Sequence, residues 1–150
     1  MIGRAAAIAP LALALSVALF AGCQNIVGST PLKVGDCFNY TDTTDANGDP
    51  INVPSVLDCA QAHSDEVFSI FDYPSASAFP GYEAIGTLQQ TRCQADFKTY
   101  VGVDWEQSTY TIGYDGPTED TWATGDHAVR CLIEDASGGQ LTGSARGTAK

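Results

Sequence analysis

Asp65-Glu66-Val67-Phe68-Ser69-Ile70-Phe71-Asp72-Tyr73 is the stretch whose reading decides the fold. Its apolar residues do not keep to one side. Phe68 and Ile70 are expected on one face and Val67 and Phe71 on the other, so both faces of this strand meet protein. A strand buried on both faces belongs in the middle of a sheet.

Working back from it, Ala60 to Ser64 reads as a turn, and Ile51 to Cys59 as a strand that Pro54 pushes to an edge or a bulge. Val34 to Tyr40, carrying Cys37, is the strand before that. Between the two, Thr41 to Pro50 is dense in Thr, Asp, Asn and Gly and reads as a hairpin loop around an Asn47-Gly48 turn. The Asp45-Ala46-Asn47-Gly48-Asp49 run imitates a calcium loop, but the register that puts Gly48 at its sixth position puts Pro54 where the bidentate glutamate belongs. No metal and no cofactor are expected.

Working forward, Pro74 to Gly81 breaks the pattern, and from Ala84 to Val101 the apolar period lengthens. Ile85, Leu88, Phe97, Tyr100 and Val101 fall mostly on three- and four-residue steps, with Gly102 where a C-terminal capping glycine would stand. This predicts the main helix, with Cys93 at its middle. Ser108 to Tyr114 alternates as a half-buried strand, Asp115 to Thr121 reads as a loop, and His127 to Glu134 is a strand with Val129, Cys131 and Ile133 on one face. Leu141 to Arg146 is expected as a short edge strand, and residues 148–150 as a frayed tail. The fold expected is therefore α+β: a small antiparallel sheet with one main helix packed on it, stapled by two disulfides.

The N-terminal segment sets the compartment. One charge, Arg4, precedes an apolar run from Ala5 to Ala21, and Leu19-Phe20-Ala21-Gly22-Cys23 resembles a lipobox. Pro10, Ser16 and the shortness of the run argue against a spanning helix. Residues 1–22 are thus expected as a lipoprotein signal peptide, Cys23 as the site of lipid attachment (palmitate among the acyl chains), 23–31 as a tether, and 32–147 as one extracytoplasmic domain. Five cysteines in an exported chain divide into one for the lipid and four for bridges. Four cysteines allow three pairings. Joining Cys37 to Cys59 and Cys93 to Cys131 links elements expected to be neighbours. No C-x-x-C or short Cys/His spacing points to zinc.

Removing residues 1–22 takes away Arg4 alone among the charges, which leaves six basic against 18 acidic residues, a net charge of −12. Such a surface repels phosphate backbones, so nucleic acid is excluded as a partner. Among groups that could carry chemistry, His63 with Asp65 and Glu66 is the most tempting, since a histidine beside carboxylates can act as base or ligand. Trp122 and Asp126, in Trp122-Ala123-Thr124-Gly125-Asp126, form a second candidate. Each also has a bland role, the tryptophan as core and the aspartate as a turn residue. No serine stands in a G-x-S-x-G frame. Catalysis would therefore have to bring His63, Glu66 and Asp126 together, as in a hydrolase or metal-dependent enzyme acting on envelope polymers. A binding role needs only His63, Glu66, Trp122 and Asp126 at a surface.

Taken in order, Gly35-Asp36-Cys37-Phe38, Cys59 with His63 and Glu66-Val67-Phe68, Phe79-Pro80-Gly81, Cys93 with Phe97, Tyr100 and Gly102, then Pro117, Trp122, Gly125-Asp126, Val129 and Cys131 resemble the septum-formation family of bacterial lipoproteins and membrane proteins. The resemblance runs from about Leu32 to Gly147. The family usually has proline before the histidine, where this chain has Ala62, and often arginine after Gly-Asp, where it has His127. The resemblance implies a binding or assembly module on the outer face of the cell membrane, connected with division, with an envelope protein or polymer as partner.

Overall fold

The computed structural model describes residues 31–45, 47–74 and 78–150. The expected signal segment, Cys23 and the tether up to residue 30 lie outside the described residues. Five antiparallel strands form one sheet in the order β2-β1-β3-β5-β4, with a long helix on one face.

β1 (Cys37–Thr44) and β2 (Pro50–Leu57) form a hairpin whose register runs from Cys37 opposite Leu57 to Thr44 opposite Pro50. Residues 41–44, expected in the loop, are strand. Their β-branched threonines face strand partners, Thr41 against Val53 and Thr43 against Ile51, and that pairing overrides a turn-like composition. The loop shrinks to residues 45–49. There the Asp45 carboxylate accepts the N–H of Asn47 (2.8 Å) and of Asp49 (2.9 Å), and Gly48 supplies a φ of 89°. Pro54 sits on β2, the sheet edge, where its missing donor costs nothing.

β3 (Asp65–Asp72) takes the central position, as its burial required. It pairs with β1 only at Cys37–Glu66 and Phe38–Asp65, so the hairpin leaves the sheet plane after two residues. Against β5 (Ala128–Asp135) it pairs along nearly its whole length, with a bulge between Val67 and Ser69. The bulge corrects the expected division of faces. Phe68 and Ser69 both point to the helix: Phe68 meets Phe97 edge-on at 5.6 Å, and the Ser69 hydroxyl donates to Asp96 at 2.6 Å. Beyond it, Phe71 stays on the helix side under Arg92, while Ile70 joins Val67, Phe38 and Leu132 on the other face. One extra residue shifts every later side chain by one face.

α1 (Tyr82–Val101) ends as its sequence predicted, at Gly102 with φ 100° and its N–H donating to the Lys98 carbonyl. It packs Phe97, Tyr100 and Val101 on Phe68, Cys131 and Ile133, and the Cys93–Cys131 bridge ties it to β5. β4 (Tyr110–Asp115) lies on the outer side of β5. Instead of a loop through Thr121, a short helix, α2 (Glu119–Ala123), follows and takes in Trp122. Thr118 and Thr121 cap it reciprocally: the Thr118 hydroxyl accepts the Thr121 N–H (3.2 Å), and the Thr118 N–H donates to the Thr121 hydroxyl (2.9 Å). This is a capping box with threonine in place of the usual Glu or Gln.

The segment Leu141 to Arg146 is no edge strand. Only Leu141 pairs, through a bridge to His63, and the chain then crosses the sheet end and buries Ala145. Residues 148–150 hold contacts of their own, among them the Ala149 N–H on the Val101 carbonyl at 2.9 Å. Among the described residues, no helix is long and apolar enough to cross a membrane.

Candidate functional site

The predicted site residues separate into two groups. At one end of the sheet, His63 and Glu66 are fully buried. Glu66 is the second residue of β3, paired with both Cys37 and Ile133, and the crossing C-terminal segment closes over it. Its Oε1 accepts from the Tyr100 hydroxyl (2.6 Å) and the Ser144 hydroxyl (2.5 Å), and its Oε2 from the Ala145 N–H (2.6 Å). Three donors on one buried carboxylate are what keep such a group tolerable in the interior. The same contact raises Tyr100: burial, then Glu66, pushes its phenol up to about 12. Glu66 therefore clamps helix, sheet and C-terminal segment.

His63 stands beside it. Its Nδ1 lies 2.8 Å from the Gln61 carbonyl, which can only accept, so Nδ1 carries the proton. Nε2 is then a bare lone pair, and it has no partner. A ring nitrogen of His63, the Cys37 sulfur and a Glu66 oxygen lie within 4.8 Å of one another. That is metal-ligand proximity without metal-ligand chemistry. Cys37 is spent in its bridge to Cys59 and both Glu66 oxygens already accept, so His63 alone has an open position.

Asp126 and Trp122 lie at the other end. The register sets Glu66 against Ile133 but Asp72 against Ala128, six residues along, or about 20 Å at strand rise. Trp122 is buried edge-on to Tyr73 (5.8 Å) and Phe79 (5.9 Å) and stacks on His127 at 3.9 Å. Asp126 accepts the Ala128 N–H (3.1 Å) within its own turn. The trio His63, Glu66 and Asp126 that an envelope hydrolase would use is not assembled. Antiparallel pairing of β3 with β5 holds its members apart.

Asp126 does reach a different feature. Because the β1–β2 hairpin leaves the sheet plane, its outer part faces β4, β5 and α2 across a cleft of about 330 Å³. Its polar lining is Asn52, Asp115, Thr118, Thr121, Asp126 and Arg130, and Leu32 and Pro54 add an apolar wall. Arg130 donates to Asp115 at 3.1 Å and lies 3.8 Å from Asp126. Two carboxylates on one guanidinium leave the cleft with a negative charge to spare, set among hydroxyl and amide groups. Such a lining suits hydroxyl-rich or cationic groups and not anions. Nearer Glu66 on the same face, burial raises the carboxyl groups of Asp65 and Glu134, the latter helped by Asp65. Only Asp126 of the cleft was visible beforehand. Arg130, a lone charge among Val129, Cys131, Leu132 and Ile133, was the available clue.

Comparison with known proteins fits this architecture. The septum-formation family model matches residues 29–150. A candidate lipoprotein called LppN from Mycobacterium tuberculosis, and its counterpart in Mycobacterium bovis, are each 36% identical over 118 residues, covering 77% of this chain and 62% of their own length. The chain thus spans less than two thirds of the curated relatives it matches. No solved structure matches it. With the family model covering the whole of the described fold, four cysteines, His63 and Glu66 included, the chain belongs to the septum-formation family.

Proposed function

We propose that this protein is a lipid-anchored binding or assembly module on the outer face of the cell membrane, with a role connected to septum formation. The carrying observation is the use of the cysteines. All four in the domain are consumed in two bridges, which leaves Cys23, directly behind an apolar run, as the fifth. Bridges belong to an oxidising compartment, and a remaining cysteine after Ala21-Gly22 is where a lipid would attach. The relatives named as candidate lipoproteins support the same anchor.

The cleft around Arg130 is the binding face in this reading. Its partner is an envelope protein or polymer presenting hydroxyl or cationic groups, and nucleic acid is excluded by the acidity of the chain. Changing Cys23→Ser moves the protein from the membrane fraction to the soluble one. Unchanged membrane retention refutes the anchor. Crosslinking from the native envelope then identifies the partner, and Asp115→Ala with Asp126→Ala lowers its recovery at least tenfold. Full recovery by that variant removes the cleft from the function.

A further inference from the structure

The two bridges sit in unlike surroundings. Cys93 and Cys131 are both fully buried, packed with Phe68, Phe97, Val101 and Ile133. Cys37 is fully buried as well, but its partner Cys59 is half-buried in a turn, residues 58–62, whose other members are all exposed. Beside Cys37 lies His63, with its Nδ1 proton given to Gln61 and its Nε2 unpartnered in the interior. An unsatisfied buried nitrogen is costly, and nothing in the folding of the domain explains it.

We propose that Cys37–Cys59 is a thiol–disulfide exchange site, open to an extracytoplasmic dithiol or disulfide partner, in which Cys59 is the sulfur the partner meets and His63 takes the proton of Cys37. This goes beyond the anchored binding role and does not depend on what the cleft holds. A partner thiolate attacks Cys59 Sγ. A new S–S bond joins partner and Cys59 as the Cys37–Cys59 bond breaks, and its electron pair leaves on Cys37 Sγ. The partner's second thiol then displaces Cys59. Two electrons and two protons have passed to the domain, and the partner departs as a disulfide.

In the reduced domain the Cys37 proton moves to Nε2, giving a thiolate beside an imidazolium. That thiolate is the group that closes the bridge again when Cys59 has attacked an oxidised partner. The negative charge facing this pair holds the imidazolium and opposes the thiolate, so the transfer rests on the open Nε2 beside the sulfur. Glu66 on β3 lies within 4.8 Å, and Asp65 on the same strand feels the histidine charge. From α1 comes Tyr100, hydrogen-bonded to Glu66, and from the C-terminal segment Arg146, which lies over the Tyr100 ring at 4.2 Å. A thiol beside a proton acceptor is the arrangement that depresses its pKa, here against the burial of Cys37, which acts the other way.

The test uses the full-length protein in graded dithiothreitol buffers at pH 7, with alkylation and peptide mapping. Cys37–Cys59 opens at least tenfold faster than Cys93–Cys131, with the fold intact by circular dichroism. In Cys59→Ser the only free thiol of the domain is Cys37, and its ultraviolet thiolate absorbance titrates at least one unit below the ordinary ~8.5 of a cysteine. Adding His63→Asn returns that midpoint upward. If this last variant does not fold, the order of reduction and the Cys37 midpoint still decide. Bridges that open together, or a Cys37 midpoint at or above ~8.5, overturn the proposal.

Discussion

Cys93–Cys131 and Cys37–Cys59 fasten the same sheet and differ in almost everything around them. The first spans 38 residues and is sealed between α1 and β5 among aromatic and aliphatic side chains. The second spans 22 residues, closes the base of a hairpin that leaves the sheet plane, and shares its neighbourhood with a bare imidazole and a buried carboxylate. One bridge thus sits among packed apolar side chains and the other beside polar bonds. The contrast teaches that two cysteine pairs of similar spacing can be a staple and a reactive site, depending on what the fold brings beside them.

The largest effect should come from the sealed bridge. Cys93→Ala with Cys131→Ala removes a loop constraint worth about 4 kcal/mol in the chain-entropy model, against about 3.4 for Cys37→Ala with Cys59→Ala. Guanidinium unfolding measures both. A greater loss at the shorter bridge would break the contrast. Next comes the polar clamp: Glu66→Gln weakens the bonds from Tyr100, Ser144 and Ala145, at a cost of about 2 kcal/mol by urea unfolding. A loss within error would mean that packing holds this end as well.

Smaller still is the cap of α2. Thr118→Ala lowers stability by about 1 kcal/mol, read as a shift in thermal midpoint, and loosens the wall of the cleft without touching either bridge. The last effect is absent at neutral pH. Because the Tyr100 phenol is held up to about 12 in the folded chain, the folded state keeps its proton where the unfolded chain, near 10, has lost it. Stability is therefore fully present below pH ~10 and falls between there and about 12. Tyr100→Phe removes part of that fall, Tyr40, also pushed up to about 12 by burial, keeping the rest, and an unchanged alkaline slope would place its origin elsewhere.

Much of the fold was legible because local pattern and global role agreed. β3 showed its central place in apolar residues on both faces, α1 in its three- and four-residue steps and closing Gly102, and β2 its edge in Pro54. The misses share a cause. Thr41 to Thr44 looked like loop by composition and became strand through cross-strand partners, and α2, inside the stretch read as loop, has a capping box closed by threonine in place of the usual Glu or Gln. The candidate site was legible only in fragments. His63 and Glu66 are close because one turn joins them, but Asp126 is separated from them by a register that no local pattern reveals.

The order of hydrophobic and polar residues, the cysteine count and the apolar run before Cys23 determined by themselves the class of fold, the number of bridges and the expectation of export. These follow from periodicity, composition and parity, which are properties of the chain alone. Only the tertiary structure decided which face each residue of β3 serves, since one bulge at Phe68–Ser69 reverses the alternation beyond it. It also decided that Glu66 is a clamp, because its three donors come from positions 34 to 79 residues away. Contacts at that separation exist only once the backbone has closed.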